Sequence, residues 1–371
     1  MSEINAIGIS VIIPIYNVEL YIERCVRSLM EQTLENIEFI FVNDCTPDKS
    51  MIILQRVLEE YPVRKEKVKI IEHKQNKGIA ATRNTGLKYV SGQYIIYCDS
   101  DDWIERDMYE KLLKKALVTC ADIVACDYYD DYINYSIIRK QLFSQKPQEC
   151  VLEMMRGNLH CSTWNKLIVR TLYERTKIIF PEGVNMWEDV CTIIPLCFHA
   201  NKIAYVSEPL YHYIHYNTGS YITCMSQFSL NNLIEALASV EMFLEKQQVY
   251  YYYADSLCFM KLTVKLNLLL GSKGEQQKKW NKLYSEANIH IWQSTHISVY
   301  WKLGLQFAAL NMLFLFNIMA QLGKVLRSIK RWSCEVYTFV YFVILLCFCF
   351  LHCWNFSFFI NSFPVIWLCY N

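Results

Sequence analysis

The sequence lacks the features that mark several common classes of protein. Its 371 residues have a net charge of +1, so no excess of lysine and arginine points to a nucleic-acid partner. Its sixteen cysteines are scattered, without a Cys-x-x-Cys pair or a regular spacing. This pattern argues against a disulfide framework or a zinc site and predicts reduced thiols in a cytoplasm. The segment Met1–Gly8 has no basic region of the kind that opens a secretory signal sequence.

Two nucleotide-binding motifs are also missing. No Gly-x-Gly-x-x-Gly follows the first apolar run, Ile9–Asn17, and the chain has no Walker A loop. These absences argue against a dinucleotide cofactor and against P-loop chemistry. Apolar residues dominate the run itself, which predicts a central parallel strand that is buried on both faces. We expect Asn17 to cap the helix that follows.

Short apolar runs alternate with amphipathic segments through the N-terminal third of the chain. This alternation predicts a doubly wound α/β fold with parallel strands. The predicted strands are Ile9–Asn17, Ile37–Val42, Val68–Ile71, Tyr94–Cys98 and Asp122–Cys126, and the predicted helices are Ile22–Met30, Ile52–Tyr61, Gly78–Val90 and Arg106–Leu117.

Polar side chains follow three of the predicted strands, at Tyr16–Asn17, Asn43–Asp44 and Asp99–Asp102. In open α/β sheets, ligands bind beyond the carboxyl ends of the strands. The three strand ends therefore indicate a nucleotide site, with one carboxylate for the base or ribose and the others for a metal-bound diphosphate.

Three carboxylates, Asp99, Asp101 and Asp102, stand within four residues. Buried like charges are costly unless a positive group joins them, and hard oxygen ligands suit Mg²⁺ or Mn²⁺. One interpretation is therefore a divalent-metal site. The other is a solvated acidic turn that caps the next helix.

These segments together resemble the bacterial family-2 glycosyltransferases of GT-A fold. The resemblance extends from Ile9 to Ser220 and implies a mixed α/β sheet. It also implies an inverting transferase that uses a nucleotide-diphospho-sugar, usually a UDP-sugar. The segments that carry it are Ser10–Asn17, Gln32–Thr33, Phe41–Asp44, Asn76–Gly86 and Asp99–Asp102.

The resemblance assigns a role to individual residues near the strand ends. It implies that Asp44 binds the uracil and that Arg83 stands near the diphosphate, although an arginine on an amphipathic helix is usually a solvated surface residue. It implies Mn²⁺ or Mg²⁺ on Asp101 and Asp99, with Asp101 the closer ligand. The turn Cys45–Asp48 departs from the family's Gly-Ser-Thr-Asp. The residues implied to line the nucleotide-sugar site are Pro14, Tyr16, Asn17, Asp44, Arg83, Asp99 and Ser100.

A second stretch with catalytic potential is Glu188–Asp189, which opens an apolar helix. Acids in the first turn complement the helix dipole, and any two acids would do so. The family, however, has its catalytic base at the aspartate of such a pair, which implies that Asp189 deprotonates the acceptor hydroxyl. The residues expected to contact the acceptor or a phosphate are Glu188, Lys166 and His215.

The C-terminal part of the sequence changes in character. Gln227–Val249 and Tyr250–Leu270 predict two long helices. Val336–Trp354 carries no formal charge and follows a basic cluster, which favours a membrane-inserted segment over a buried core helix. We therefore expect three regions: a transferase domain at 1–222, a helical region at 223–333, and a hydrophobic tail at 334–371.

These observations predict a transferase at the cytoplasmic face of the bacterial inner membrane, anchored by its tail. It would add a sugar to a lipid-linked or glycan acceptor in the synthesis of exopolysaccharide, capsule or O-antigen. Two other functions remain open at this stage, namely a nucleotidyltransferase and a catalytically inactive nucleotide-binding scaffold. The missing glycine-rich basic signature argues against the first, and the presence of Asp99, Asp101 and Asp189 argues against the second.

Overall fold

The computed structural model describes residues 8–217 and 226–328. The predicted membrane segment Val336–Trp354 and the predicted domain boundary at residue 222 lie outside these ranges. Within them, no helix is both long enough and apolar enough to cross a membrane. The chain up to Asn311 forms one compact unit, and the last described helix belongs to a second unit that starts at Met312.

A single mixed sheet forms the centre of the first unit. The strands are β1 Ile9–Ile15, β2 Ile37–Asn43, β3 Val68–Glu72, β4 Tyr94–Tyr97, β5 Trp103–Ile104, β6 Ile123–Asp131, β7 Ser136–Arg139, β8 Lys166–Val169 and β9 Ile203–Ile214. Their order across the sheet is β3-β2-β1-β4-β8-β6-β9-β5, and β7 pairs with β6.

Helices cover the sheet and continue into the C-terminal part. They are α1 Ile22–Met30, α2 Ser50–Glu59, α3 Pro62–Lys65, α4 Ile79–Leu87, α5 Met108–Thr119, α6 Pro147–Met155, α7 Arg170–Thr176, α8 Glu188–His199, α9 Gln227–Lys246, α10 Tyr250–Leu270, α11 Gly274–Lys282, α12 Val299–Ala309 and α13 Leu313–Ser328, with a 3₁₀ helix at Ser285–Gln293.

The first half of the sheet is parallel, as the sequence predicts. β1 lies between β2 and β4, parallel to both, and every residue of β1 and β2 is buried. Continuous apolar runs form such strands because helices cover both faces of the sheet. Buried residues on α1 and α2, including Cys25, Leu29 and Leu54, pack against the inner strands.

The second half of the sheet is not parallel throughout. β8 lies between β4 and β6 and is antiparallel to both, and the short strand β5 is antiparallel to β9. The mixed α/β sheet that the family resemblance implies is therefore confirmed. The five strands predicted from the alternating pattern, observed as β1, β2, β3, β4 and β6, run in one direction, and the antiparallel members of the sheet are β5, β7 and β8. The returning strand β8 brings the chain back beside β4, so the loop that precedes β8 reaches the same edge as Asp99.

The helix predictions have different outcomes. The two long C-terminal helices are confirmed as α9 and α10. Asn17 does not cap α1; it has a φ of 55°, and the helix begins five residues later, at Ile22.

Candidate active site

A large cleft, with a volume of about 1240 Å³, opens at the carboxyl ends of β1, β2 and β4. We call one side the strand-end wall, which consists of Pro14, Tyr16, Asn17, Asp44, Gly78, Arg83, Asp99, Ser100 and Asp101. We call the other side the histidine wall, which consists of Asp130, Arg139, Lys140, Gln141, Gly157, Asn158, His160, Thr163, His215 and His296. Trp187, Glu188 and Asp189, at the start of α8, also line the cleft.

Asp44 is held in place by hydrogen bonds at the end of β2. One carboxylate oxygen accepts the N–H of Lys77 at 2.9 Å, and the other accepts the N–H of Gly78 at 2.8 Å. His73 Nδ1 lies 2.7 Å from the same side chain and bonds Thr85 through its other ring nitrogen. Asp44 thus joins the end of β2 to the turn before α4, where Gly78 has a φ of 86°.

The end of β1 is fixed by contacts with two neighbouring turns. The hydroxyl of Ser100 donates to the carbonyl of Pro14 at 2.6 Å, and the N–H of Asn17 donates to Thr46 Oγ1 at 2.8 Å. Tyr16 is 43% exposed in the cleft. Cys45 has a φ of 57°, a left-handed conformation that glycine adopts at lower cost.

Arg83 is the central cation of the site. It is 4% exposed, and its two terminal nitrogens bond Asp99 Oδ1 at 2.9 Å and Glu188 Oε1 at 2.5 Å. Burial alone would lower the pKa of Arg83, but the charges of Asp99 and Glu188 raise it overall, so the guanidinium stays protonated. Its Nε has no hydrogen-bond partner among the described residues.

The three carboxylates after β4 have two different environments. Burial, together with the charge of Asp99, raises the pKa of Asp101 to about 6, although Asn217 donates to Asp101 at 2.8 Å. Asp102 is 1% exposed and accepts hydrogen bonds from the Tyr211 hydroxyl at 2.6 Å and the Ile214 N–H at 2.8 Å. Asp99 and Asp101 therefore face the cleft, whereas Asp102 anchors β9 to the end of β4.

Asp189 stands in the first turn of α8, as predicted. Its Oδ1 accepts the N–H of Val190 at 2.8 Å. Burial and the neighbouring charge of Glu188 raise the pKa of Asp189 to about 7, while Arg83 acts in the opposite direction. A carboxylate with a pKa near neutrality is suited to accept a proton at physiological pH. Glu188, in contrast, is engaged by Arg83.

Lys166 does not lie in the cleft. It is buried, and its ammonium donates to the carbonyls of His160 and Ser162 and to Asn165 Oδ1, each at 2.8 Å. All three of its N–H groups are therefore occupied by the loop before β8, which leaves none for a phosphate in this arrangement. His215 does line the cleft, where its Nε2 lies 2.8 Å from Asp130 Oδ1.

Several cleft residues were missed by the sequence reasoning. Trp187 has a φ of 65°, which is unusual for a bulky residue and gives the backbone direction with which α8 begins. Asn185 lies against Gly78, and among the residues that the structure describes its buried Oδ1 has no hydrogen-bond partner. His160 and His296 come together from distant segments. No local pattern marks any of these residues.

The sequence was compared with protein families and with known proteins. The family described as Glycosyl transferase family 2 matches residues 10–177. The uncharacterized glycosyltransferase EpsJ of Bacillus subtilis is 33% identical over 213 residues, which cover 55% of this chain and 60% of EpsJ. Glycosyltransferase GlyG of Streptococcus pneumoniae is 30% identical over 221 residues, which cover 55% of this chain and 70% of GlyG. The chain thus spans only about 60% of relatives such as EpsJ.

The fold was compared with solved structures. Residues 1–349 of S. aureus TarS, in a crystal structure with UDP, superpose with a TM-score of 0.62 at 17% identity, covering 85% of this chain and 90% of that one. At this identity the likeness shows the fold, which is that of a mixed α/β domain followed by helices. The matched family model and the identity to GlyG together show the family as well as the fold: this chain belongs to glycosyltransferase family 2.

Proposed function

We propose that this protein is an inverting glycosyltransferase that moves a hexosyl or N-acetylhexosaminyl group from a UDP-sugar to an acceptor hydroxyl. The observation that carries the proposal is Asp189, a carboxylate with a pKa of about 7, in the same cleft as Arg83 and the Asp99–Asp101 pair. The cleft therefore combines a base with a cationic region for a leaving group.

The strand-end wall would bind the donor. Asp44, Tyr16 and Asn17 stand at the ends of adjacent parallel strands, where α/β folds bind nucleotides. TarS, which shares the fold, was solved with UDP and with UDP-GlcNAc, and this supports a uridine nucleotide. Arg83 would stand near the diphosphate, with Asp99 and Glu188 holding its guanidinium in one orientation.

The residues present also fit a divalent cation. Asp99 and Asp101 are hard oxygen ligands, and the pKa of Asp101 is raised by burial and by repulsion from Asp99, a cost that a cation would relieve. Among the described residues, no group of three or more His, Cys, Asp or Glu side chains is placed to hold a metal ion. Diphosphate oxygens would therefore complete the coordination of Mn²⁺ or Mg²⁺. Such an ion supplies charge stabilisation for a departing diphosphate.

The proposed reaction is a single displacement. Asp189 accepts the proton of the acceptor hydroxyl as the oxygen attacks the anomeric carbon. A glycosidic bond forms while the bond from that carbon to the diphosphate oxygen breaks, and the nucleoside diphosphate leaves from the opposite face. Attack from the opposite face inverts the configuration. Arg83 holds negative charge that develops on the leaving group.

The biological setting is proposed from relatives. One relative, 33% identical over 213 residues, is the minor teichoic acid biosynthesis protein GgaB of Bacillus subtilis. This supports a role in surface-glycan synthesis with a lipid-linked or glycan acceptor.

We also propose that the chain has three regions, 1–222, 223–333 and 334–371, and that the last region lies at the inner membrane. Deleting the chain after Ser333 should then release a soluble protein; full-length protein in a detergent-free high-speed supernatant would contradict this.

The test of the proposed function is a donor panel. Full-length protein with Mn²⁺ should hydrolyse one UDP-sugar slowly and release UDP, and it should lose this activity in EDTA. Asp101→Ala should also weaken UDP binding in Mn²⁺, because it removes a ligand. Equal UDP affinity in wild type and Asp101→Ala, with and without EDTA, would refute the metal assignment. A protein that binds no UDP at all would refute the function.

A further inference from the structure

The histidine wall carries basic groups that the proposed reaction does not use. Arg139, Lys140, His160, His215 and His296 all line it. Asp130 is the one carboxylate among the described residues that define this wall, and it is already bonded to Arg139 at 2.5 Å and His215 at 2.8 Å. The wall therefore presents more basic than acidic side chains to the cleft, and Lys140, His160 and His296 are exposed there.

His160 is fixed as a neutral donor. Its Nδ1 accepts the N–H of Ser162 at 3.1 Å, so the neutral ring carries its proton on Nε2. The ring is exposed in the cleft, where desolvation by the surrounding protein atoms and the charge of Lys166 lower the pKa of His160 to about 4, against the opposing charge of Asp130. The backbone N–H of His160 donates to Gln141 Oε1 at 2.8 Å, which ties the residue to the segment that follows β7.

His296 is held against the cleft by a glycine. Gly157 has a φ of 81°, and a Cβ atom on it would lie only 2.7 Å from His296 Cγ, so the imidazole rests directly on the backbone. Next to it, the hydroxyl of Thr295 donates to Asn158 Oδ1 at 2.7 Å. This segment of the helical region is thereby fixed to the turn after α6.

Thr163 supplies an independent sign of a missing ligand. It is 1% exposed, lines the cleft, and its Oγ1 has no hydrogen-bond partner among the described residues. A buried hydroxyl without a partner is costly, and such groups in native structures call for an explanation. An acceptor oxygen from a bound ligand would satisfy it.

The balance of donors and acceptors distinguishes between ligand classes. Sugar hydroxyls need both, and sites for neutral glycans therefore offer carboxylates or amide oxygens beside their donors. Here the amide oxygens of Gln141 and Asn158 each already accept one hydrogen bond, from His160 and Thr295, and Asp130 is paired with Arg139 and His215. The wall therefore presents mainly N–H and O–H donors near cations, which suits a phosphate.

We propose that the histidine wall binds a phosphate group of the acceptor, so that the acceptor is a phosphate ester rather than a neutral glycan. This rests on the proposed function, because the histidine wall is left for the acceptor only if the donor occupies the strand-end wall. Lys140 and His160 contact the phosphate oxygens, and the acceptor hydroxyl lies toward Asp189. The same chemistry fits a lipid phosphate or a water-soluble phosphate ester.

The experiment measures phosphate binding in the presence of saturating UDP and Mn²⁺. Full-length protein in detergent is titrated calorimetrically with inorganic phosphate, glycerol phosphate, farnesyl phosphate and, as the neutral probe, glycerol. The variants are Lys140→Gln and His160→Gln, which remove a cation and an imidazole. Lys114→Gln on α5 is the matched control, because Lys114 is exposed and lies outside the cleft.

We expect the phosphate probes to bind and glycerol not to bind. Lys140→Gln and His160→Gln should each weaken binding about three- to tenfold, as the loss of one hydrogen bond to a charged group predicts, while Lys114→Gln should not. Tighter binding of farnesyl phosphate than of glycerol phosphate would identify a lipid phosphate, and equal binding a soluble one; both support the proposal.

Three results would overturn the proposal. They are the absence of phosphate binding, equal weakening by Lys114→Gln, and competition between the phosphate probes and UDP, which would assign binding to the strand-end wall. UDP affinity in the same samples separates this proposal from the proposed function. Protein that binds UDP but no phosphate refutes only the histidine-wall assignment, whereas protein that binds no UDP refutes the function itself.

Discussion

The two walls of the cleft differ in how their polar groups are satisfied. On the strand-end wall, the carboxylate of Asp44 accepts backbone N–H groups and Arg83 is held between Asp99 and Glu188. On the histidine wall, the side chains of Lys140 and His160 are exposed in the cleft. Each wall also has one buried donor without a hydrogen-bond partner among the described residues, Arg83 Nε on the strand-end wall and Thr163 Oγ1 on the histidine wall. A wall whose charged groups are already held in ion pairs can bind a ligand with little rearrangement, whereas exposed cations lose side-chain freedom when a ligand orders them.

The two walls also differ in the chain segments that form them. The strand-end wall is built by parallel strands whose ends meet at one edge, so its residues follow short apolar runs. The histidine wall combines a hairpin, the loop before β8 and the segment before α12, which no repeating pattern connects. We therefore expect substitutions on the two walls to separate donor binding from acceptor use.

The largest expected effect is on the base that stands between the walls. Asp189→Asn keeps the size of the side chain and can still accept the Val190 N–H, but it cannot take a proton. Loss of a general base typically lowers the rate about 10²- to 10⁴-fold. UDP affinity should be retained, because the change lies outside the strand-end wall. Near-normal turnover would show that Asp189 only caps α8.

The next effect is the pH dependence of transfer. Because the pKa of Asp189 is about 7, kcat/KM should fall about tenfold for each pH unit below 7 and level off above it. Titration of Asp101, with a pKa of about 6, should weaken UDP binding at lower pH than this. Measuring UDP affinity across the same range separates the two groups. A flat rate between pH 5.5 and 8 would be inconsistent with this assignment.

Glycines on the two walls provide a smaller, paired test. Gly78→Ala introduces a Cβ 2.3 Å from Asn185 Oδ1, so we expect UDP affinity to fall about tenfold, or about 1.4 kcal/mol. Gly157→Ala displaces His296 and should leave UDP affinity nearly unchanged. Gly274→Ala is the control, because its φ is also positive but no atom lies within 4 Å of the new Cβ. Equal losses of UDP affinity in all three variants would indicate backbone strain alone.

The strand-end wall was largely predictable from the sequence because its information is local. A buried strand and the polar residues that follow it are neighbours in the chain, so Asp44 and Asp99 were found at the ends of β2 and β4. The distinct role of Asp102 was not found, since it depends on Tyr211, 109 residues later. The buried position of Lys166 was not foreseen for a similar reason, because its three acceptors come together only in the folded loop before β8; its predicted role toward a phosphate stays a prediction.

The histidine wall could not be predicted from the sequence, because its residues come together only in the fold. A single histidine is usually a packed or solvated residue, and only the fold brings His160, His215 and His296 to one surface. The antiparallel insertion of β8 was missed as well, because a four-residue apolar strand has the same pattern in either direction. The direction of β8 determines where the loop with His160 lies.

The smallest expected effect is on the free energy of unfolding, and it tests whether the ionised Asp189 destabilises the folded protein. Asp189 has a folded-state pKa of about 7, above its ordinary value of 3.8. A carboxyl whose pKa is raised by folding contributes stability that is complete below pH 4 and is lost as the pH rises through 7. Asp189→Asn has no such loss. The variant should therefore be more stable than wild type at pH 8, by on the order of 1 kcal/mol after the lost attraction to Arg83 is subtracted, and the difference should shrink toward pH 5.

Urea unfolding without donor or metal measures this difference. Glu235→Gln on α9, an exposed carboxyl-to-amide change outside the cleft, is the control and should show no pH-dependent gain. If Asp189→Asn were less stable than wild type at pH 8, the negative charge of Asp189 would stabilise the position of α8. Ionisation of Asp189 would then not lower the stability of the folded protein.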